Sequence, residues 1–309
     1  MTCGIITMVC VTLLGTKWQL LYACISVAVV FIVGAFLTLP LVIAKATVFI
    51  YLNSILYLQI PGALANFYVA KPACLPDGPH FSYVFYQTVA ALIADAGGVL
   101  GAILFNTFFS RHRYAFVFIA TTILQVLGSI FDLIIVKRWN THIGIPDHAM
   151  YILGDSIVYR VCFVMSMMPA QILMSRLCPR GTETIAFSLL AGFSSAGNSM
   201  SLSIGSLLME SIWPVSTRVP CNFKNVQWLI ITGHLVTPLL IIPLAFLLLP
   251  RARICDRVDF EGNVIREDDE VPEEHTTSIE RIDAPTPSAA ECNAEKKDAW
   301  DDEKTPSKV

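Results

Sequence analysis

Long apolar runs, many of them near 20 residues, are separated by short polar segments along the first 249 residues. A run of about 20 residues crosses the roughly 30 Å hydrocarbon core of a bilayer as an α-helix. The runs are continuously apolar instead of alternating, and a span must satisfy its backbone hydrogen bonds internally, so helices are favoured over strands. The pattern predicts an all-α integral membrane protein, folded as a polytopic helical bundle.

Turn residues and charges divide this region into seven predicted spans. They cover about 20–43, 46–69, 83–109, 115–136, 149–174, 184–212 and 227–249. The connections hold the Pro, Gly and charged residues expected of water-facing turns. Residues 1–18 are apolar but too short to span, and they lack the basic start and cleavage site of a signal peptide. We interpret them as the remnant of a preceding hydrophobic segment, with an uncleaved anchor or a re-entrant stretch as the alternative.

Charge divides the chain into a transmembrane part, 19–249, and a tail, 250–309. Although 55% of all residues are hydrophobic and 15% are charged, the tail alone carries 17 acids and 9 bases, against 7 acids and 12 bases before it. Its Glu, Asp, Pro, Ser and Thr predict a disordered acidic segment, since it has little apolar surface to bury. The bases of the transmembrane part stand singly in short loops, which argues against nucleic acid as a partner.

The distribution of basic residues predicts the orientation. An odd number of spans with a cytoplasmic tail places eight bases inside and six outside, and the basic cluster directly after the last span strengthens this bias. The inner bases are Lys45, Arg111, Arg113, Arg176, Arg180, Arg251, Arg253 and Arg257, and the outer ones are Lys17, Lys71, Lys137, Arg138, Arg218 and Lys224. We expect a multi-pass protein of the plasma membrane.

Ionisable residues inside spans are costly and mark functional sites by default. Asp95 lies deep in the third span, where it serves either function or a structural hydrogen bond to a neighbouring helix. Asp132 lies one turn before Lys137 and Arg138, so an interfacial salt bridge is an equal alternative to a site role. Asp155 and Arg160 are five residues apart, which separates them by about 140° around a helix, so each needs another partner.

Other features of the spans and loops indicate packing, topology or cross-linking. Small residues at four-residue spacing, Gly97 with Gly101 and Gly197 with Ser201 and Gly205, predict close helix contacts. The prolines that interrupt spans are Pro40, Pro61, Pro169, Pro238 and Pro243. The basic turns around Arg111 and Arg113 and around Arg180 and Glu183 determine topology alone or also act in gating. Cys74 and Cys221 fall on the outer face, where a disulfide between them is permitted.

No phosphate-cradle, zinc-protease or paired-thiol pattern occurs in the sequence, and no set of nucleophile, base and orienting group is evident. We therefore expect neither a cofactor nor a metal, and no enzymatic activity.

Three long stretches resemble the folate-biopterin transporter family, in particular the kinetoplastid pteridine and folate transporters. They are "CLPDGPHFSYVFYQ", "GSIFDLIIVKRWNTHIGIPDHAMYILGDSIV" and "MPAQILMSRLCPRGTETIAFSLLAGFSSAGNSMS". The resemblance implies a major-facilitator architecture of two six-helix halves, with this chain as the carboxy-terminal portion. It touches Asp132, Arg138, Trp139, Asn140, Gly144, Ile145, Pro146, Asp147, Gly154, Asp155, Pro169, Cys178, Pro179, Gly181 and Glu183.

The resemblance implies proton-coupled transport of folate, biopterin or a related pteridine. Asp95, Asp132, Asp155 and Arg160 are the candidates for substrate binding and proton coupling, because a carboxylate can accept two hydrogen bonds from a pterin ring. Arg111, Arg113, Arg138, Arg180 and Glu183 are the gating candidates. The alternative is a non-transporting half-molecule that needs an amino-terminal partner half.

Overall fold

The computed structural model describes residues 2–60, 62–177, 183–216, 221–250 and 252–254. Within these ranges every named element is helical, and the extended pairing consists of two isolated bridges, Arg113 with Arg253 and Ser216 with Asn222. The predicted disordered tail lies outside the described residues, apart from its first positions.

Ten helices follow one another in the described residues. They are α1 (Thr2–Leu14), α2 (Lys17–Thr38), α3 (Leu41–Leu56), α4 (Ala63–Tyr68), α5 (Phe85–Phe109), α6 (Tyr114–Val136), α7 (Trp139–His142), α8 (Asp147–Tyr151, Ile152–Tyr159 and Arg160–Leu177 in one run), α9 (Glu183–Ser211) and α10 (Val226–Leu248). Wider π-helical turns occur in three of them. These are Phe85–Val89 and Phe105–Phe109 in α5, Ile152–Tyr159 in α8 and Ile231–Val236 in α10.

Five of these helices, α2, α5, α6, α8 and α10, are long and apolar enough to cross a membrane. The α3 helix is apolar but has 16 residues, which is about 24 Å and shorter than the hydrocarbon core. The α9 helix has 29 residues and is not among the five. The chain is therefore an all-α, multi-pass integral membrane protein, as predicted, while the total of seven spans stays a prediction.

The first two predicted spans differ from the observed helices. The break between them falls at Leu39 and Pro40, not near residue 45, because a proline disfavours helical conformation in the residue before it. Lys45, expected in a loop, lies in α3. The second predicted span, 46–69, is not one helix: α3 ends at Leu56, and α4 begins after Gly62, whose φ of 77° is left-handed.

Close contacts between helices occur at the predicted small residues. A Cβ atom added to Gly101 of α5 would lie 2.8 Å from the carbonyl oxygen of Val161 in α8. One added to Gly197 of α9 would lie 2.8 Å from the carbonyl oxygen of Tyr51 in α3. A side chain at either position would therefore force two helix backbones apart.

The main buried cluster lies between α3, α6, α8 and α10, where Phe49 meets Phe118 edge to face at 4.7 Å between ring centres. Many apolar side chains of α2 are exposed instead, among them Tyr22, Val30 and Leu37. In a soluble protein an apolar surface of this extent would be unusual, but it suits a helix that faces lipid.

Residues that are far apart in sequence contact each other at both ends of the bundle. At the end that is predicted to lie outside, Lys17 pairs with Glu210 at 3.4 Å. At the opposite end the Ile254 amide donates to the His112 carbonyl at 3.0 Å, next to the Arg113–Arg253 bridge. These pairings match the alternation of sides that the basic residues predict.

Candidate functional site: a polar cleft between the spans

Residues 57–60, between α3 and α4, are not helical although they lie inside the second predicted span. The Ser201 hydroxyl of α9 donates to the Tyr57 carbonyl at 2.7 Å and accepts from the Gln59 amide at 2.8 Å. Non-helical backbone within a membrane is tolerated where it is buried in protein or lines a cavity. Ser201, predicted only as a packing residue, therefore also replaces lost helical hydrogen bonds.

The other side of this segment is held by α10, at its π-helical turn. The Leu58 amide donates to the Gly233 carbonyl at 3.2 Å, and Nε2 of His234 donates to the Leu58 carbonyl at 3.0 Å. Nδ1 of His234 is buried and has no hydrogen-bond partner among the described residues. Interrupted helices and π-helical turns of this kind recur at functional sites.

A polar cleft of about 250 Å³ opens beside this segment. It is lined from α3, the 57–60 segment, α6, α8, α9 and α10. The lining residues are Asn53, Ser54, Tyr57, Gln59, Gln125, Tyr159, Arg160, Phe163, Ser166, Met167, Ser194, Asn198 and Ile241. Four side-chain amides, three serines and one arginine among them make this an unusual surface for helices that cross lipid, where polar groups are expensive.

Aromatic rings form a row along one wall of the cleft. The Tyr57 ring stacks on His234 with 4.6 Å between centres, and Tyr159 lies on at 5.3 Å from Tyr57. Phe163 follows at 6.4 Å from Tyr159, and the Arg160 guanidinium lies 5.7 Å above the Phe163 ring. The His234 ring fixes the plane of Tyr57 from behind, so this wall is pre-shaped.

Arg160 connects the cleft to the exposed face of α5. Its Nη2 donates to Asp95 at 3.2 Å, with 41% of the arginine side chain and 69% of the aspartate side chain exposed. Its Nε is buried with no partner among the described residues. Asp95 and Arg160, both predicted as site residues, are thus brought together, and Arg160 alone of the four predicted candidates lines the cleft.

Asp132 and Asp155 lie in a neighbouring cluster of tyrosines and do not line the cleft. The Tyr68 hydroxyl donates to Asp132 at 2.7 Å, and Asp132 is 4% exposed. Asp155 interacts with the Tyr151 side chain and electrostatically with Asp132, so the two acids share one cluster. Close helix packing allows this, because a Cβ on Gly154 would overlap Phe131 of α6.

The salt bridge considered for Asp132 with Lys137 or Arg138 is not what the structure shows. Arg138 pairs instead with Asp147 at 2.8 Å. Asn140 donates to the same carboxylate, so the loop between α6 and α8 closes on itself. Arg138, a gating candidate, thus has a local structural partner.

The other loop candidates divide into described and undescribed residues. Arg111 and Arg113 are exposed in the turn between α5 and α6. Arg180 lies outside the described residues, and of Glu183 the structure describes only the backbone, at the start of α9. The expected disulfide between Cys74 and Cys221 is present, with 5.4 Å between the Cα atoms, and it links the loop after α4 to the segment before α10.

The four side-chain amides of the cleft are not among the residues that the sequence predicts for the site. These amides are uncharged, and they lie far apart in the sequence, so a search for rare charged residues inside the spans does not find them. They are Asn53, Gln59, Gln125 and Asn198. The available signal was the presence of carboxamides inside apolar runs, with Gln59 two residues before Pro61. Among the described residues, no group of three or more His, Cys, Asp and Glu could hold a metal ion.

The fold and the cleft together define the class as polytopic α-helical membrane proteins that have an interrupted helix and a polar cleft between their helices. Within that class the chain belongs to the BT1 family, whose sequence model matches residues 1–269. No solved structure matches the chain.

Curated relatives carry transporter names. The chain is 31% identical over 206 residues to probable folate-biopterin transporter 5 of Arabidopsis thaliana, covering 66% of this chain and 39% of the relative. It is 31% identical over 175 residues to the folate-biopterin transporter of Synechocystis sp., covering 56% and 34%. Folate transporter 1 of Plasmodium falciparum is 27% identical over 157 residues, covering 51% and 30%. The matched region thus spans less than half the length of each relative, and these relatives are named as transporters, not enzymes.

Proposed function

We propose that the chain forms the carboxy-terminal part of a membrane transporter for folate, biopterin or a related pteridine. Family membership and the names of the relatives support this class of substrate. The observation that carries the proposal is the polar cleft of about 250 Å³, since amides, hydroxyls and an arginine at membrane depth have no role towards lipid. The cleft is the substrate-binding site in this proposal.

Transport is coupled to protons through Asp95 or Asp155. Asp95 neutralises Arg160 in the present arrangement, so a proton on Asp95 would free the guanidinium for a carboxylate of the substrate. Asp155 lies in the neighbouring cluster with Asp132 and Tyr151, and it is the second carboxylate that would take up a proton in this proposal. Exchange of that proton as helices move would link substrate binding to the proton gradient.

The experiment on this point is uptake of radiolabelled folate by a complete version of the protein carrying Asp155→Asn. We expect loss of most uptake, because an amide occupies the same volume but cannot exchange a proton. The exposed outer-loop variant Asp77→Asn is the matched control and should transport normally. Unchanged uptake by Asp155→Asn would defeat the assignment of this carboxylate.

In the same proposal the protein resides in the plasma membrane with its acidic tail in the cytoplasm. The Arg111 and Arg113 turn then faces the cytoplasm beside the segment after α10, which it contacts through the Arg113–Arg253 bridge. Contacts between helix ends at this face are suited to gating, together with Arg180 and Glu183 from the next inner turn.

A second candidate function is a half-transporter that needs an amino-terminal partner. The exposed Asp95–Arg160 pair favours this candidate, because an ion pair on the exposed surface of a span needs to be covered by polar groups from other helices. Uptake by this chain alone in transport-deficient cells would exclude the candidate. Silence that is rescued by co-expression of the amino-terminal half of a relative would support it.

A further inference from the structure

We propose that the cleft recognises the pterin ring itself, as a neutral planar head group, through aromatic stacking and carboxamide hydrogen bonds instead of through carboxylates. The ring would lie on Tyr57 and Tyr159, and its polar edge would meet Gln59 and Asn198. If the substrate also carries a carboxylate, that part of the substrate would leave the cleft past Arg160. This inference rests on the proposed function and adds the mode of recognition.

The first support is the aromatic wall. Tyr57 and Tyr159 line the cleft and are half-buried, so neither residue is fully covered by protein. A flat heteroaromatic ring gains stacking energy on such a platform, as nucleobases do on aromatic side chains. His234 is the positioning residue, because it stacks behind Tyr57 and its own ring is held by the Leu58 carbonyl.

The second support is a pair of amides, Gln59 and Asn198, that also line the cleft. Nε2 of Gln59 reaches Oδ1 of Asn198 at 3.4 Å, a long hydrogen bond. Oε1 of Gln59 and Nδ2 of Asn198 have no further partner among the residues that the structure describes. A pterin ring presents an N–H donor beside a carbonyl acceptor, and a carboxamide presents an acceptor beside a donor. The two edges can form paired hydrogen bonds, as Asn and Gln do with adenine.

The carboxylates are placed unfavourably for this task. Asp132 and Asp155 do not line the cleft, Asp132 accepts its hydrogen bond from Tyr68, and Asp95 is engaged by Arg160. The amides are therefore the groups that remain for an uncharged polar edge.

The size of the cleft and the charge of Arg160 determine where the rest of the substrate lies. A cleft of about 250 Å³ lies below the roughly 300–1,000 Å³ typical of drug-sized ligands, so it can hold the pterin ring but not a whole folate molecule. Arg160 stands at the side of the cleft that leads to exposed Asp95, and its buried Nε has no hydrogen-bond partner in the part of the chain that the structure describes. A substrate carboxylate would meet the guanidinium there, whereas biopterin has no carboxylate to place.

The test is equilibrium binding of tritiated biopterin and tritiated folate to the full chain in lipid vesicles, alone and with the amino-terminal half of a relative co-reconstituted. Asn198→Leu and Tyr159→Leu should each weaken binding of both compounds by about fivefold or more, since the first removes hydrogen bonds to the ring and the second removes a stacking surface. Tyr159→Phe, which keeps the ring, should retain binding. Arg160→Gln should weaken folate binding and leave biopterin binding within about twofold.

The matched control is Tyr22→Leu, which alters a tyrosine exposed on α2 and should change neither affinity. Equal loss of both ligands in Arg160→Gln, or retained binding in Asn198→Leu and Tyr159→Leu, would overturn this inference while the proposed function stands. Binding of neither compound by the unaltered chain, with or without the partner half, would overturn the proposed function as well.

Discussion

At the scale of single residues, polar groups buried among the spans are matched to specific partners. Tyr68 and Asp132 are 64 positions apart, yet the hydroxyl donates to the carboxylate at 2.7 Å in a cluster of aromatic rings. The sequence predicts that Asp132 needs a partner, because a charge in an apolar setting is costly without one. It does not predict which partner, since nearby Lys137 and Arg138 offered a local solution that the helix ends do not adopt.

Replacing Tyr68 with Phe removes only this hydroxyl. We expect the free energy of unfolding to fall by about 1–3 kcal/mol, because Asp132 keeps its burial and loses its donor. The measurement is SDS-induced unfolding in mixed micelles. Tyr83→Phe, at an exposed tyrosine two residues before the start of α5, is the control and should be neutral. Equal stability of the two variants would show that the hydrogen bond contributes nothing.

At the scale of elements, the interrupted region between α3 and α4 has the largest consequence. The apolar pattern of 46–69 predicts one span, because hydrophobicity alone does not record where a backbone leaves the helix. Pro61 and Gly62 indicate the place, but the compensating groups, Ser201 and His234, come from α9 and α10. That interruption brings Tyr57 and Gln59 to the cleft, so the site depends on an event that periodicity does not show.

Helix packing, by contrast, follows from local sequence. The small residues Gly97, Gly101 and Gly197 predict close approach, and the structure places each against another helix. The spacing identifies the contact face, although it does not identify the partner helix.

Gly101→Ala should destabilise the contact of α5 with α8. The added Cβ would lie 2.8 Å from the Val161 carbonyl oxygen, and overpacking of this kind costs about 1–3 kcal/mol. Gly34→Ala in α2 is the control, because no atom lies within 4 Å of its added Cβ, and it should be neutral or slightly stabilising. Thermal unfolding in detergent compares the two. A Gly101→Ala protein as stable as Gly34→Ala would mean that the two helices are not closely packed.

At the scale of the whole molecule, the structure confirms the predicted class and the pairing of Cys74 with Cys221, while the predicted orientation stays a prediction. Those features depend on composition, on charge near the ends of the spans and on the number of spans between two loops, and each of these can be counted along the sequence. The cleft cannot be predicted in this way, because its lining residues come from six separate stretches and are mostly uncharged. Of the predicted ionisable candidates, Arg160 alone lines it, with Asp95 attached through the ion pair.

In the proposed function, the cleft is filled with water and accessible to substrate although it lies inside a membrane bundle. Ser194 of α9 lines the cleft, whereas Val30 of α2 lies on the exposed apolar surface. The two positions therefore allow a direct comparison in a protein whose cysteines outside the Cys74–Cys221 disulfide are replaced by serine.

The measurement is the rate at which a charged, water-soluble thiol reagent modifies Ser194→Cys and Val30→Cys in membranes, with and without biopterin. We expect rapid modification of Ser194→Cys, slowed by biopterin, and little modification of Val30→Cys, because the reactive thiolate forms in water and not in lipid. If Ser194→Cys were as unreactive as Val30→Cys, the cleft would not be open to water and could not be the substrate-binding site.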